Sequence, residues 1–175
     1  MDKPKYSRPE HERRFLVNVA DCPTLPSQHV QINDRYLDQT RLRLRMMVPS
    51  NGDPTTYKLC KKYGGSALVS EPIVNIYLDQ SEYEMLTVLP GHQVSKRRYH
   101  LYWQGSRFGV DIFAGALAGL VLCEVEAPTL VELAAITAPP WVRTEVTHDS
   151  RFTGGNLCRL NPVACAALVA QSEPI

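Results

Sequence analysis

The sequence predicts a mainly β (α+β) fold whose antiparallel strands form a barrel or a sandwich. Three observations predict it. Apolar and polar residues alternate with period two in eight segments. Clusters of Gly, Pro, Asn and Ser separate those segments. Only three stretches carry helical signals.

The expected strands are 10–17, 41–48, 55–62, 71–78, 95–102, 107–113, 119–127 and 142–148. The run Pro49-Ser50-Asn51-Gly52-Asp53-Pro54 predicts a hairpin between the second and third. Gln104-Gly105-Ser106 predicts another, and Gly64-Gly65, Pro90-Gly91 and Gly154-Gly155-Asn156 mark further breaks. A cap-like Ser81 opens the first helical stretch, which continues to about Leu89. Thr129 to Thr137 is the second. Asn161-Pro162 starts an Ala-rich third, at about 161–171, with Pro in the first turn where its missing N–H does no harm. At 175 residues, the chain reads as one domain over 1–175.

Side chains at i and i+2 share a strand face. That rule gathers Glu10, Glu12 and Arg14 on one face, then Arg41, Arg43 and Arg45, then Lys58, Cys60 and Lys62. It likewise groups Lys96, Arg98 and His100, and, on the following strand, Arg107, Gly109, Asp111 and Phe113. Glu124 pairs with Glu126, and Glu145 with Thr147 and Asp149. A wet sheet face gives such alternation without any function. A solvated face, however, mixes its signs, whereas here whole strands are basic or acidic. Residues 35–62 hold seven basic side chains against two acidic, and residues 111–149 hold six acidic against one basic.

Three arginines in a row repel unless an anion or opposing carboxylates lie between them. If the polar faces turn inward, the interior becomes a charged tunnel suited to a linear polyphosphate. Arg offers a donor fork matching phosphate oxygens and Lys a point charge. Carboxylates at i and i+2 give oxygen ligands for Mg²⁺ or Mn²⁺, which bridge substrate phosphates.

Other classes are disfavoured. The formal charge of +1 argues against general nucleic-acid binding. No apolar run reaches the ~20 residues of a membrane helix. Five cysteines without a close pair, and an N-terminal region without an apolar segment, predict reduced thiols and a cytoplasmic location. The chain has no Walker-type phosphate loop, no GxSxG and no zinc-ligand spacing among its His and Cys.

Six blocks in order resemble one family. Glu10-His11-Glu12-Arg13-Arg14 is similar to the ExExK signature of the CYTH superfamily, the triphosphate tunnel metalloenzymes. Thr40-Arg41-Leu42-Arg43-Leu44-Arg45 resembles its RxR strand, Tyr57 to Lys62 its Lys-bearing partner, and Lys96-Arg97-Arg98-Tyr99 its KxRY element. Val110-Asp111-Ile112-Phe113 with Gly119 to Glu126 resembles VDxF…GLxLxEVE. Trp141, Glu145-Val146-Thr147, Asp149 and Asn156-Leu157 resemble the closing block, so the match spans 10–157.

The resemblance implies an eight-stranded antiparallel closed β-barrel with a charged tunnel and a few outer helices. It implies hydrolysis of a small-molecule triphosphate, inorganic triphosphate being favoured, with Mg²⁺ or Mn²⁺. An adenylate cyclase of class IV type, a thiamine-triphosphatase and a non-catalytic polyphosphate-binding module remain alternatives. Carried over, Glu10, Glu12, Arg14 and Glu145 are the catalytic candidates. Arg41, Arg43, Arg45, Lys58, Lys62, Lys96 and Arg98 are the phosphate-binding candidates. Glu10, Glu12, Asp111, Glu124 and Glu126 are the metal candidates. The Lys of ExExK is Arg14 here, and the acidic pair of the fourth strand is reduced to Glu71 and Asn75. Which of Lys58, Lys61 and Lys62 faces inward stays open. No nucleic-acid or membrane partner is expected, and a homodimer is left open.

Overall fold

The computed structural model describes residues 4–64 and 68–172. Its strands are β1 (Arg8–Val17), β2 (Val30–Leu37), β3 (Leu42–Pro49), β4 (Thr56–Lys62), β5 (Ser70–Leu78), β6 (Gly91–Trp103), β7 (Ser106–Phe113), β8 (Val121–Ala127) and β9 (Val142–Glu145). The helices are α1 (Gln80–Leu86), α2 (Leu130–Ala135), α3 (Gly154–Leu157) and α4 (Pro162–Ala170). Part of the Gly64-Gly65 turn lies outside the described residues.

Strands β2 to β5 form one antiparallel meander and β6 to β8 another. β6 joins them by pairing with β2, and β1 closes the ring between β8 and β5. The result is the expected closed barrel of eight antiparallel strands, but its membership differs from the sequence expectation. β2, from a stretch assigned no element, is a barrel strand with both edges paired. The segment expected at 142–148 is a four-residue strand annexed to the end of β1 outside the ring. Thr147 there uses its hydroxyl rather than its backbone to meet the Arg14 N–H, at 3.0 Å.

Local chemistry sets the helix starts. Asp79, not Ser81, caps α1, accepting from the Glu82 N–H at 2.8 Å while Glu82 reaches back to the Asp79 N–H. Thr129 caps α2 and Asn161 caps α4. No helix among the described residues is long and apolar enough to cross a membrane.

Two apolar clusters fix the barrel. Leu16, Val94, Phe113 and Leu122 point inward and meet Phe152, Leu157, Cys165 and Leu168 from the C-terminal segment, which closes one end. Phe15, Phe108, Val110, Cys123 and Val125 point outward beneath Leu133 and Trp141. Fully burying each such side chain contributes about 1.5–3 kcal/mol. With both faces fixed, a one-residue register slip would turn the apolar set inside out.

Candidate active site

Alternation on the closed barrel turns the charged faces inward, around a cavity of about 510 Å³. Glu10, Glu12 and Arg14 line it from β1, Arg43 and Arg45 from β3, Lys62 from β4, Lys96 and Arg98 from β6, and Glu124 and Glu126 from β8. Every one of these positions comes from the sequence pattern.

The register decides their partners. Arg14 stands opposite Glu124 across the β1–β8 ladder. Its Nε donates to Glu124 at 3.1 Å and its Nη2 to Glu12. Burial disfavours the charged guanidinium, but Glu12 and Glu124 outweigh that and raise its pKa. Lys62 gathers three carboxylates: Glu10 at 2.6 Å, Glu12 at 3.4 Å and Glu71 at 3.6 Å. Lys61 instead points outward over the Tyr63 ring. Lys58 shares the inward parity but does not line the cavity, and its ammonium sits 4.8 Å from the Tyr77 ring centroid.

Among the lining residues that the sequence reading missed are Asp34 and Tyr36, both on β2, and Arg159 of the C-terminal segment. Asp34 faces Arg45 in register and accepts from its Nε at 2.6 Å and its Nη2 at 2.7 Å. Arg43 Nε lies 3.8 Å from Asp34 and has no hydrogen-bond partner among the described residues. Burial pushes the Asp34 carboxyl up, yet Arg45 and Arg43 bring it down to about 2. The counter-ion that a row of like charges requires is therefore built into the neighbouring strand. Tyr36 stands opposite Arg43, and a methyl group at Gly154 would lie 1.8 Å from its hydroxyl oxygen. Glycine there lets the closing segment pack onto the ring. The alternation of Val30, Ile32, Asp34 and Tyr36 was the available signal, masked by the turn-like Asn33-Asp34.

Three expectations are corrected. Asp111 is fully buried and does not line the cavity. The β6–β7 register sets it opposite Arg98, which donates to it at 2.7 and 2.6 Å, while Lys96 takes one of the same oxygens. What sets it apart from the lining carboxylates is its burial behind the cavity wall, where it holds these two cations in place. Glu145 lies outside the barrel, because β9 pairs beyond the ring; it takes Arg13, at 3.0 and 2.7 Å, on the outer face of β1. Arg41, exposed just before β3, does line the cavity, and there it donates to the Tyr63 carbonyl. Lys58 is at the barrel end, as above.

Glu124 is held well below the ordinary carboxylate range: burial opposes this, and Lys96, Arg98 and Arg14 prevail. Lys96 is pulled down by burial, against the attraction of Asp111. Gly109 adjoins Arg98, where a Cβ would meet its Cδ and Nε at 3.3 Å, so glycine leaves room for the guanidinium to lie over β7.

A protein from Nitrosomonas europaea described as an inorganic triphosphatase is 35% identical over 149 residues, covering 82% of this chain and 92% of that protein. The chain belongs to the CYTH superfamily. A second inorganic triphosphatase, from Acetivibrio thermocellus, is 39% identical over 69 residues, 39% of this chain and 42% of that one. A solved structure named as an inorganic triphosphatase superposes at a TM-score of 0.58 and 28% identity, over 87% of this chain and 96% of that one. A putative adenylate cyclase from Bacillus halodurans, 13% identical at a TM-score of 0.50 over 71% of this chain and 83% of that one, shares the fold. No protein-family model matches.

CYTH membership implies a divalent cation, and the donor set fits one. Glu10, Glu12, Glu124 and Glu126 are hard oxygen donors of the kind such cations take. Burial and then the charges of Glu10, Glu12 and Glu124 raise the Glu126 carboxyl, as happens where carboxylates crowd without enough positive charge. Among the described residues no three of them form a complete cation site alone.

Proposed function

We propose that this chain hydrolyses inorganic triphosphate to pyrophosphate and orthophosphate, with Mg²⁺ or Mn²⁺. The observation that carries this reading is the one cavity in which Arg14, Arg43, Arg45, Lys62, Lys96 and Arg98 face Glu10, Glu12, Glu124 and Glu126. The inorganic triphosphatases similar to this chain support the same choice of substrate.

Arg43, which has no carboxylate within hydrogen-bond distance among the described residues, takes phosphate oxygens, and Arg45, Lys96 and Arg98 do so by exchanging part of their carboxylate bonds. Asp34 and Asp111 keep these cations aimed into the cavity. Glu10, Glu12, Glu124 and Glu126 would hold the metal ion, which when bound withdraws charge from the phosphate oxygens and makes water a better nucleophile. Glu12, gripped by Arg14 and Lys62, is placed to orient that water. Positioning and charge neutralisation supply most of the rate in phosphoryl transfer.

The test is phosphate release from triphosphate, ATP, GTP and thiamine triphosphate with Mg²⁺ or Mn²⁺ and with EDTA. Triphosphate should show the highest kcat/KM, and EDTA should abolish turnover. Cyclic AMP with pyrophosphate from ATP, a preference for thiamine triphosphate, or full activity in EDTA would overturn the reading.

A further inference from the structure

The barrel is open along part of one strand edge. β5 pairs with β1 only from Ser70 to Ile73. β1 begins at Arg8, and the chain before it turns, the Ser7 N–H donating to the Pro4 carbonyl at 2.9 Å. Among the described residues no strand pairs with that edge from Val74 to Leu78. The backbone groups it presents follow from alternation. The Tyr63 N–H meets the Pro72 carbonyl on the β4 side, at 3.0 Å, and the Glu12 N–H meets the Val69 carbonyl on the β1 side, at 3.2 Å. Val74, Ile76 and Leu78 therefore turn their N–H and C=O to β4, whereas Asn75 and Tyr77 turn theirs to the open edge.

Native edge strands are normally blunted by charge, proline, a bulge or shortness. At the other end of the sheet, β9 is four residues long and carries Arg143 and Glu145. Val74-Asn75-Ile76-Tyr77-Leu78 has no charge and no proline, and its register with β4 runs without a shift. Ile76 is 52% exposed and Tyr77 70%. α1 turns back over β4, where Tyr83 packs on Tyr57 with ring centroids 4.8 Å apart, and leaves the edge open.

We infer that this edge pairs with the same edge of a second copy of the chain, antiparallel about a two-fold axis at Ile76. Self-complementarity selects a second copy as the occupant. The axis sets Asn75 of each copy opposite Tyr77 of the other, and these are the residues whose N–H and C=O point outward, so each such pair exchanges both of its hydrogen bonds. Ile76 meets Ile76 in a non-hydrogen-bonded pair, where side chains lie closest, and Leu59 of β4 extends that apolar row on both sides. Charge agrees at the ends of the window. The second copy's Asp79, leaving β5 for α1, comes end-on to Arg8, which is exposed and in no ion pair among the described residues. The two-fold axis repeats that contact. So short an edge buries less than the about 800 Å² that each partner gives to a standard interface, and the dimer is therefore reversible, dissociating in the micromolar range.

Sedimentation velocity over roughly 1–100 µM reads the assembly, and wild type should pass from monomer to dimer across it. Ile76 is half-exposed and lies outside the charged cavity, so Ile76→Lys and Ile76→Glu should keep the wild-type circular dichroism spectrum. Each variant alone should dimerise at least ~10-fold more weakly, because like charges then meet on the axis. Mixed in equal amounts, the two variants should associate again, since Lys then meets Glu. In wild type, the Asn75 and Tyr77 amides should exchange their hydrogens more slowly as protein concentration rises. A wild type that stays monomeric, a dimer that Ile76→Lys leaves intact, or a mixture that does not associate would overturn the inference. Exchange at Asn75 and Tyr77 that is independent of concentration would overturn it without recourse to any variant.

Discussion

Asp34→Asn tests whether the arginine row is held by a built-in counter-ion. Asp34 is almost wholly buried, receives both Arg45 bonds and lies 3.8 Å from Arg43 Nε. Its carboxyl ionises at about 2 instead of 3.8, because the two arginines outweigh burial. A folded value below the unfolded one means that its stability is fully present above about pH 4 and is lost as pH falls toward 2; it amounts to about 2 kcal/mol. Removing one partner of a buried pair also strands the other charges, at a typical cost of ~3–5 kcal/mol. Asp34→Asn should therefore lose about 3 kcal/mol at pH 7 in urea denaturation. Arg43→Ala, which leaves the Arg45–Asp34 pair intact, should lose under ~1 kcal/mol. The gap between wild type and Asp34→Asn should narrow between pH 5 and pH 2. Other carboxylates titrate in that window, so it is the difference between the two proteins that reports Asp34. A variant as stable as wild type at pH 7, or a gap that is flat with pH, would refute the reasoning.

Two further outcomes test the placement of side chains. Glu145→Gln, outside the barrel, should keep kcat/KM for triphosphate within ~2-fold while losing about 0.5–1 kcal/mol in thermal denaturation through its Arg13 pair; a ~100-fold fall in kcat/KM would return Glu145 to the catalytic set. Gly109→Val should displace the Arg98 guanidinium, which a Cβ would already meet at 3.3 Å, and lower kcat/KM at least ~10-fold in steady-state assays. Unchanged kinetics would show that Arg98 can be moved without consequence.

The inward faces of β1, β3, β6 and β8 were legible because strand alternation is local: Glu10 and Glu12, or Arg43 and Arg45, must share a face once the segment is extended. The starts of α2 at Thr129 and of α4 at Asn161-Pro162 were legible for the same reason, whereas the cap of α1 proved to be Asp79 and not Ser81. β2 was not, since Asn33 and Asp34 have turn propensity and only its two paired neighbours make it a strand. What the charges do with one another was equally out of reach. Nothing near Asp111 in sequence shows that Arg98 and Lys96 will consume its carboxylate, or that Glu145 will meet Arg13 outside the ring. The amino-acid sequence by itself determined which side chains face the bore, through a period of two residues. Tertiary structure alone decided which of them are paired with each other, because ion pairs are set by strand register and closure between segments tens of residues apart.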